Sequence, residues 1–304
     1  MANLDYEQFK TEVANKIKEH LPDEYQDYTT RFQTVVKSGY EYEALMIEPR
    51  EKTGITITPA LNITEAFKKY EEGAAFLDIM VKLARDRVNT IAPKNWGSDF
   101  LDFEKVKDRI FPRLVNSETN KDYLADKPHR SIEDLSIIYS LRVDENERGL
   151  ALITVTYRIL DLWNITEEEL HDIAVENLSR TKPFICELRT ALFGGLETGG
   201  LSIDDLNEAE MPFFILTCQN KTHGAIMATN TAVMDRLTEK LGKLYILPSS
   251  VEEVIIAPQT AVDDVQFLSN LVKSVNETDV RPEDKLSDNV YEYDIDTHNL
   301  KIVM

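Results

Sequence analysis

Leu244-Tyr245-Ile246-Leu247-Pro248-Ser249-Ser250-Val251-Glu252-Glu253-Val254-Ile255-Ile256-Ala257 holds two apolar, β-rich runs separated by a short polar step. Residues 244–247 and 251–257 read as strands, and Pro248 ends the first of them. Outward toward the C-terminus, 263–275 reads as a helix and 290–294 with 299–303 as a hairpin. Toward the N-terminus, 213–218 and 225–229 read as strands, and 230–241 as a helix ended by Gly242. Helices and strands alternate without the strict βαβ rhythm of a doubly wound sheet. The pattern predicts an α+β fold, with helices packed on mostly antiparallel or mixed sheets.

The same signals organise the rest of the chain. Tyr6, Phe9, Val13, Ile17 and Leu21 recur at steps of three and four, which puts them on one helix face, and Pro22 stops that helix. Strand runs at 31–37, 42–48 and 55–58 follow. Asn62 with Glu65 three residues later opens a further helix that Gly73 ends, and Phe76, Ile79, Met80, Leu83 and Val88 mark another. A boundary is expected at residues 92–98. Beyond it, 135–143 and 150–156 read as a hairpin with a long turn, and 103–115 fits either state. Ile165-Thr166-Glu167-Glu168-Glu169-Leu170 carries a Thr cap, a Glu at the third helical position and flanking apolar residues, the signature of a capping box with a hydrophobic staple. From 181 to 211 the pattern breaks up. Three subdomains are expected: 1–95, 96–210 and 211–304, although two would also suit 304 residues.

Charge excludes some partners. Asp plus Glu number 54 against 34 Lys plus Arg, a net charge of −20. Such a chain repels phosphate backbones and anionic membranes, so nucleic-acid and membrane partners are not expected, and a cationic partner is favoured. No run approaches the roughly 20 apolar residues of a membrane span. The start lacks a signal-peptide pattern, and the only cysteines, Cys186 and Cys218, are too few for a disulfide framework, so a reducing cytoplasm is expected.

Several clusters approach chemistry. Ser249 or Ser250 would serve as a nucleophile if a histidine such as His223 or His129 activated it, but no Gly-x-Ser-x-Gly elbow surrounds them. As structure, Ser250 caps a turn with Glu253 three residues on. His129-Arg130 offers a base beside an anion-binding arginine; as structure, it is a polar strand entry whose Arg130 meets a carboxylate. Asn220-Lys221-Thr222-His223-Gly224 has side chains to line a pocket, with Asn220, Lys221 and Gly224 as binding candidates; as structure, it is a hairpin turn. Glu168, His171 and Asp172 share a helix face but match no metal motif, and a solvated face explains them. Residues 194–200 lack the phosphate-loop and dinucleotide patterns, so neither metal nor cofactor is expected. Cys186 and Cys218 sit among apolar residues, as inert buried thiols do.

The runs Arg113-Leu114-Val115-Asn116, Pro128-His129-Arg130, 134–139, 162–170, 246–255 and Leu286-Ser287-Asp288-Asn289-Val290-Tyr291 stand in order along the chain. In them the sequence resembles an uncharacterised family of clostridial gut bacteria classed as a domain of unknown function (DUF5688-like), and it is distantly similar to the YtpQ-like proteins of bacilli. The resemblance implies a bacterial cytoplasmic protein of α/β type and carries no catalytic residue. With no assembled catalytic signature, a non-catalytic binding protein is expected, with a protein or peptide partner added to a sheet edge. The alternatives are a hydrolase or transferase built from His129, Arg130, His223 and Ser249 or Ser250, or a small-ligand sensor.

Overall fold

A computed structural model describes residues 4–37, 39–50, 58–89, 99–146, 149–196, 199–206 and 213–304. The strand expected over 55–58 lies outside these except for Thr58, which is not in a strand, and so does the whole of the expected boundary at 92–98. The chain is α+β: every strand pairing among the described residues is antiparallel, and helices flank the sheets. It divides into two units, Met1–Lys105 with Asp144–Ala151, and Val106–Val143 with Leu152–Met304.

The first unit is built as its periodicity dictates. Helix α1 (Tyr6–Lys16) opens on Asp5, whose carboxylate accepts from the Gln8 amide while the Gln8 side chain returns to the Asp5 amide. It buries Phe9 and Val13 and runs on as a 3₁₀ turn, Ile17–His20, before the chain turns extended at Leu21 ahead of Pro22. Strands β1 (Tyr28–Lys37), β2 (Tyr40–Pro49) and β3 (Leu61–Asn62) form a three-stranded sheet in that order. Helix α2 (Ile63–Glu71) is capped by the Asn62 side chain on the Glu65 amide. Helix α3 (Phe76–Asn89) follows. Phe9, Val13, Ile17, Leu45, Ile47, Ile63, Met80 and Leu83 form one core beneath these elements. Into it reaches Arg87, buried, donating from Nε and Nη2 to the Ile47 carbonyl at 3.2 Å and lying 4.7 Å from the Tyr25 ring centre. The bonds and the aromatic face compensate the loss of water around that cation.

The second unit holds two sheets. In the smaller, β6 (Leu135–Asn146, the part to Val143 lying in this unit) runs between β4 (Ile110–Asn116) and β5 (His129–Ile132), and β7 (Gly149–Thr154) pairs with it as well. Directly opposed residues of antiparallel strands share a face. Arg113, Ile138 and His129 therefore form one row, with Phe111, Ser140 and Arg142 on the same side, while Arg130, Ile137 and Tyr139 face the other way. Helix α4 (Tyr157–Trp163) ends at Asn164, which adopts φ +54°, a conformation asparagine tolerates at a helix end. Helix α5 (Glu167–Ser179) covers the Tyr139 side: Tyr139 and His171 Nδ1 lie 2.9 Å apart, and Asn177 donates to the carbonyls of Lys107 and Ile110. Its Thr166–Glu169 capping box is present in both directions.

The larger sheet has the order β13-β12-β10-β11-β9-β8: β8 (Pro183–Glu187), β9 (Phe214–Cys218), β10 (Leu244–Leu247), β11 (Val254–Pro258), β12 (Tyr291–Asp294) and β13 (Asn299–Ile302). Helix α6 (Leu188–Gly194) follows β8, α7 (Thr231–Leu241) is capped by Asn230, and α8 (Val265–Thr278) packs Leu268 and Val272 on Leu247, Ile255 and Val290. The strand predicted at 225–229 is instead a 3₁₀ helix, Gly224–Thr229. The amides of Gly224 and Ala225 donate to the carbonyls of Glu252 and Val251, and the bend that this requires diverts an apolar run out of the sheet.

Candidate functional site

The loop predicted as a hairpin turn leads from β9 into that 3₁₀ helix, and two of its residues are left-handed: Lys221 at φ +57° and His223 at φ +52°. Asn220 Oδ1 accepts from Cys218 Sγ at 2.8 Å and from the Thr222 amide at 3.4 Å. Lys221 Nζ lies 4.8 Å from the Phe184 ring centre. At Gly224 there is no room for any side chain: a Cβ would stand 1.9 Å from Thr217 Oγ1 and 2.4 Å from the Cys218 amide nitrogen. This glycine is needed for close approach of two backbones, not for access by a ligand.

The turn carrying the paired serines lies alongside. Glu252 joins the two loops, its carboxylate accepting from the His223 amide at 2.7 Å and its carbonyl from Thr217 Oγ1 at 2.7 Å. Ser250 donates to Glu253 Oε1 at 3.0 Å and accepts from the amides of Glu252 and Glu253, so its hydroxyl caps the turn. Ser249 is buried, and its backbone bonds to Leu247 and Leu286. Among the described residues no hydrogen bond joins either hydroxyl to an imidazole. Burial pushes the Glu252 and Glu253 carboxyls up from their ordinary range.

The two histidine candidates are placed differently. His129 Nδ1 lies 2.8 Å from the Lys127 carbonyl. Arg130, next to it on β5, points to the opposite face and pairs with Glu168. Strand alternation thus separates a pair adjacent in sequence. Glu168, His171 and Asp172 are not simply a solvated face either: His171 is half-buried against Tyr139, and burial, then Arg130, lowers its pKa. His223 starts the 3₁₀ helix that packs against β4, and burial and then Arg113 and Arg142 hold its ring down to about 3. Its Nδ1 is buried and has no hydrogen-bond partner, and the same is true of Arg142 Nε. Cys186 and Cys218 are buried free thiols that burial pushes up, far from activated.

A cleft of about 380 Å³ opens elsewhere in the second unit, lined by Asn116, Glu118, Thr119, Asp134, Lys285, Ser287, Asp288 and Asn289 among others. Its floor is a network no short motif announced. Asp134 accepts from Ser287 Oγ at 2.8 Å, from Asn289 Nδ2 at 3.0 Å and from the Tyr291 hydroxyl. Burial raises its carboxyl above the usual range despite these donors. Asn116 donates to the Leu286 carbonyl at 2.7 Å, and Asn276 donates to the Ser287 carbonyl and to Asp288. Asp134 and Ser287 are 153 residues apart, so no spacing rule could link them; the left-handed Glu133 (φ +54°) just before Asp134 left no sequence signal. Three carboxylates, of Glu118, Asp134 and Asp288, line the cleft with one ammonium, that of Lys285, which pairs with Asp288 at 2.6 Å, while Glu118 pairs with Lys121 at 2.6 Å.

Among the described residues no cluster of three or more His, Cys, Asp or Glu side chains could hold a metal, and no helix is long and apolar enough to cross a membrane. No curated protein and no solved structure matches the chain. A model of a family of unknown function (DUF5688) matches residues 6–295, spanning both units. Four of the runs that carried the resemblance, those at 113–116, 134–139, 246–255 and 286–291, supply Asn116, Asp134, Ser249, Ser287, Asn289 and Tyr291 to the cleft or to the bonds around it. With nearly its whole length matched, the chain belongs to the DUF5688 family of unknown function.

Proposed function

We propose that this is a non-catalytic binding protein of the bacterial cytoplasm whose cleft accepts a cationic group, the amine of a small molecule or of a peptide partner's side chain. The observation that carries this is the cleft's carboxylate lining, Glu118, Asp134 and Asp288, two of which already take a lysine ammonium, Glu118 from Lys121 and Asp288 from Lys285, each at 2.6 Å, in a chain of net charge −20. Its volume lies at the lower end of ligand-sized pockets, roughly 300–1,000 Å³. Hydroxyls and amides beside the carboxylates suit an ammonium group, which needs several acceptors once it leaves water. Against catalysis stands the engagement of the nucleophile candidate: the Ser250 hydroxyl caps a turn, and neither imidazole reaches a serine.

Calorimetric titration with spermidine and with a lysine-rich peptide tests the proposal at low salt. Binding that weakens in Glu118→Gln and Asp288→Asn, and falls with added salt, supports it. Binding of neither probe, or binding indifferent to both substitutions, removes it.

A further inference from the structure

On the face of the small sheet away from α5, positive charge collects without a negative partner. Arg113 donates from Nε to Ser140 Oγ at 2.8 Å and from Nη2 to Thr154 Oγ1 at 3.1 Å, both neutral hydroxyls. Arg142, two residues beyond Ser140 on the same strand face, lays its guanidinium 4.4 Å from the Phe111 ring centre. Neither arginine has an ion-pair partner among the described residues, although acidic side chains outnumber basic ones 54 to 34 in the chain. The 3₁₀ helix packs against β4, and His223 at its start brings an imidazole within electrostatic reach of both guanidinium groups.

Two buried nitrogens there lack partners, Nε of Arg142 and Nδ1 of His223. Arg142 Nε is obligatorily a donor, and a neutral imidazole presents Nδ1 as a donor in one of its two tautomers. Buried polar groups left unpaired are unfavourable and rare, so these two orphaned nitrogens, on side chains that act on each other electrostatically, call for a missing acceptor. The acceptor that satisfies donors and offsets unpaired guanidinium charge together is an oxyanion. Glu252, the carboxylate closest in bonding to His223, is already committed to that residue's amide.

We infer that Arg113, Arg142 and His223 form a binding site for an oxyanion, the carboxylate or phosphate group of a ligand. The site is independent of the carboxylate-lined cleft: it uses none of the cleft's lining residues, so each can fail alone. Arg142 would bind through Nε, Arg113 through the Nη that Ser140 and Thr154 leave free, and His223 through Nδ1–H.

The test is thermal denaturation of the full chain with inorganic phosphate or acetate, each matched in ionic strength by sodium chloride. Nitrogen-15 spectra of the histidine rings run alongside. Stabilisation beyond the chloride control, with a change in the His223 ring signals, is expected from at least one of the two anions, and the stronger identifies the ligand class. Arg142→Gln should weaken that binding on the order of tenfold, the loss of one charge-assisted hydrogen bond. His223→Asn keeps a residue tolerant of the left-handed backbone and should weaken it too. Should Arg142→Gln not fold, the ring signals and His223→Asn decide the matter. No effect of either anion beyond chloride overturns the proposal, as does an effect that persists unchanged in a folded variant.

Discussion

Protonating His223 means placing a third positive charge near Arg113 and Arg142 on a partly buried ring whose Nδ1 is shut off from water. The ring's native pKa of about 3 lies below an unfolded value of about 6.5, so the unfolded chain binds more protons throughout that window. Stability contributed at neutral pH is thus lost as pH falls from about 6.5 toward 3. Asp134, Glu252 and Glu253 act in the opposite sense, since their raised native pKa values favour the folded chain as acid enters the carboxylate range. Comparing the wild type with His223→Asn isolates the histidine: the wild type should lose about 3 kcal/mol relative to the variant between pH 8 and pH 4, read from urea midpoints. A constant difference across that range would rule the linkage out. Gly224→Ala forces a Cβ into Thr217 Oγ1 and the Cys218 backbone, and should destabilise by about 3 kcal/mol or more in the same assay. The sequence made Ser250's capping role legible, because a serine three residues before a glutamate is a local pattern. It could not announce Asp134, whose three donors arrive from 153 to 157 residues away, nor the orphaned nitrogens of His223 and Arg142.

Elements whose ends carry their own chemistry were read correctly. Asn62 and Thr166 cap helices as expected, and Asn230, read as the first residue of its helix, caps it; each accepts from an amide three positions on. Thr166→Ala should cost about 1 kcal/mol, and Thr166→Ser should restore most of it; the check is a chemical-denaturation series on the three proteins. Where long-range bonds overrode local preference, the reading failed. Residues 225–229 are apolar enough for a strand, but the wedge at Gly224 and the bonds to the 251–252 backbone wind them into a 3₁₀ helix. Strand β8 went unnoticed among broken patterns because it opens with Pro183, a residue that fits only a strand's start or a sheet edge, and β8 is both short and at the edge. In the first unit, Arg87 lies among apolar helix positions whose pattern says only that they are buried. Arg87→Met should destabilise by about 2 kcal/mol, since the Ile47 carbonyl and two tyrosine rings lose a partner while the packed stem is retained.

For the molecule as a whole, α+β class with mostly antiparallel or mixed sheets followed from the order of element types, helices and strands alternating without a strict βαβ rhythm. The pairing order of the six-stranded sheet did not, because β8 and β9 are separated by 26 residues that carry a helix of their own. Net charge does reach the whole-chain scale directly. Twenty surplus negative charges repel one another more in the folded chain than in the expanded one, so screening should favour the fold. Raising sodium chloride from 10 to 150 mM should increase Tm by about 2–5 °C; a decrease would mean that the many surface ion pairs outweigh the surplus. Cys186 and Cys218, finally, lie on adjacent strands of the large sheet with their sulfurs shielded from water. A maleimide can reach them only when β8 peels away or the sheet parts. The two thiols therefore time the breathing of that edge, and their alkylation rates, faster at Cys186 if the outer strand leaves first, would clock an opening that no bulk melting curve resolves.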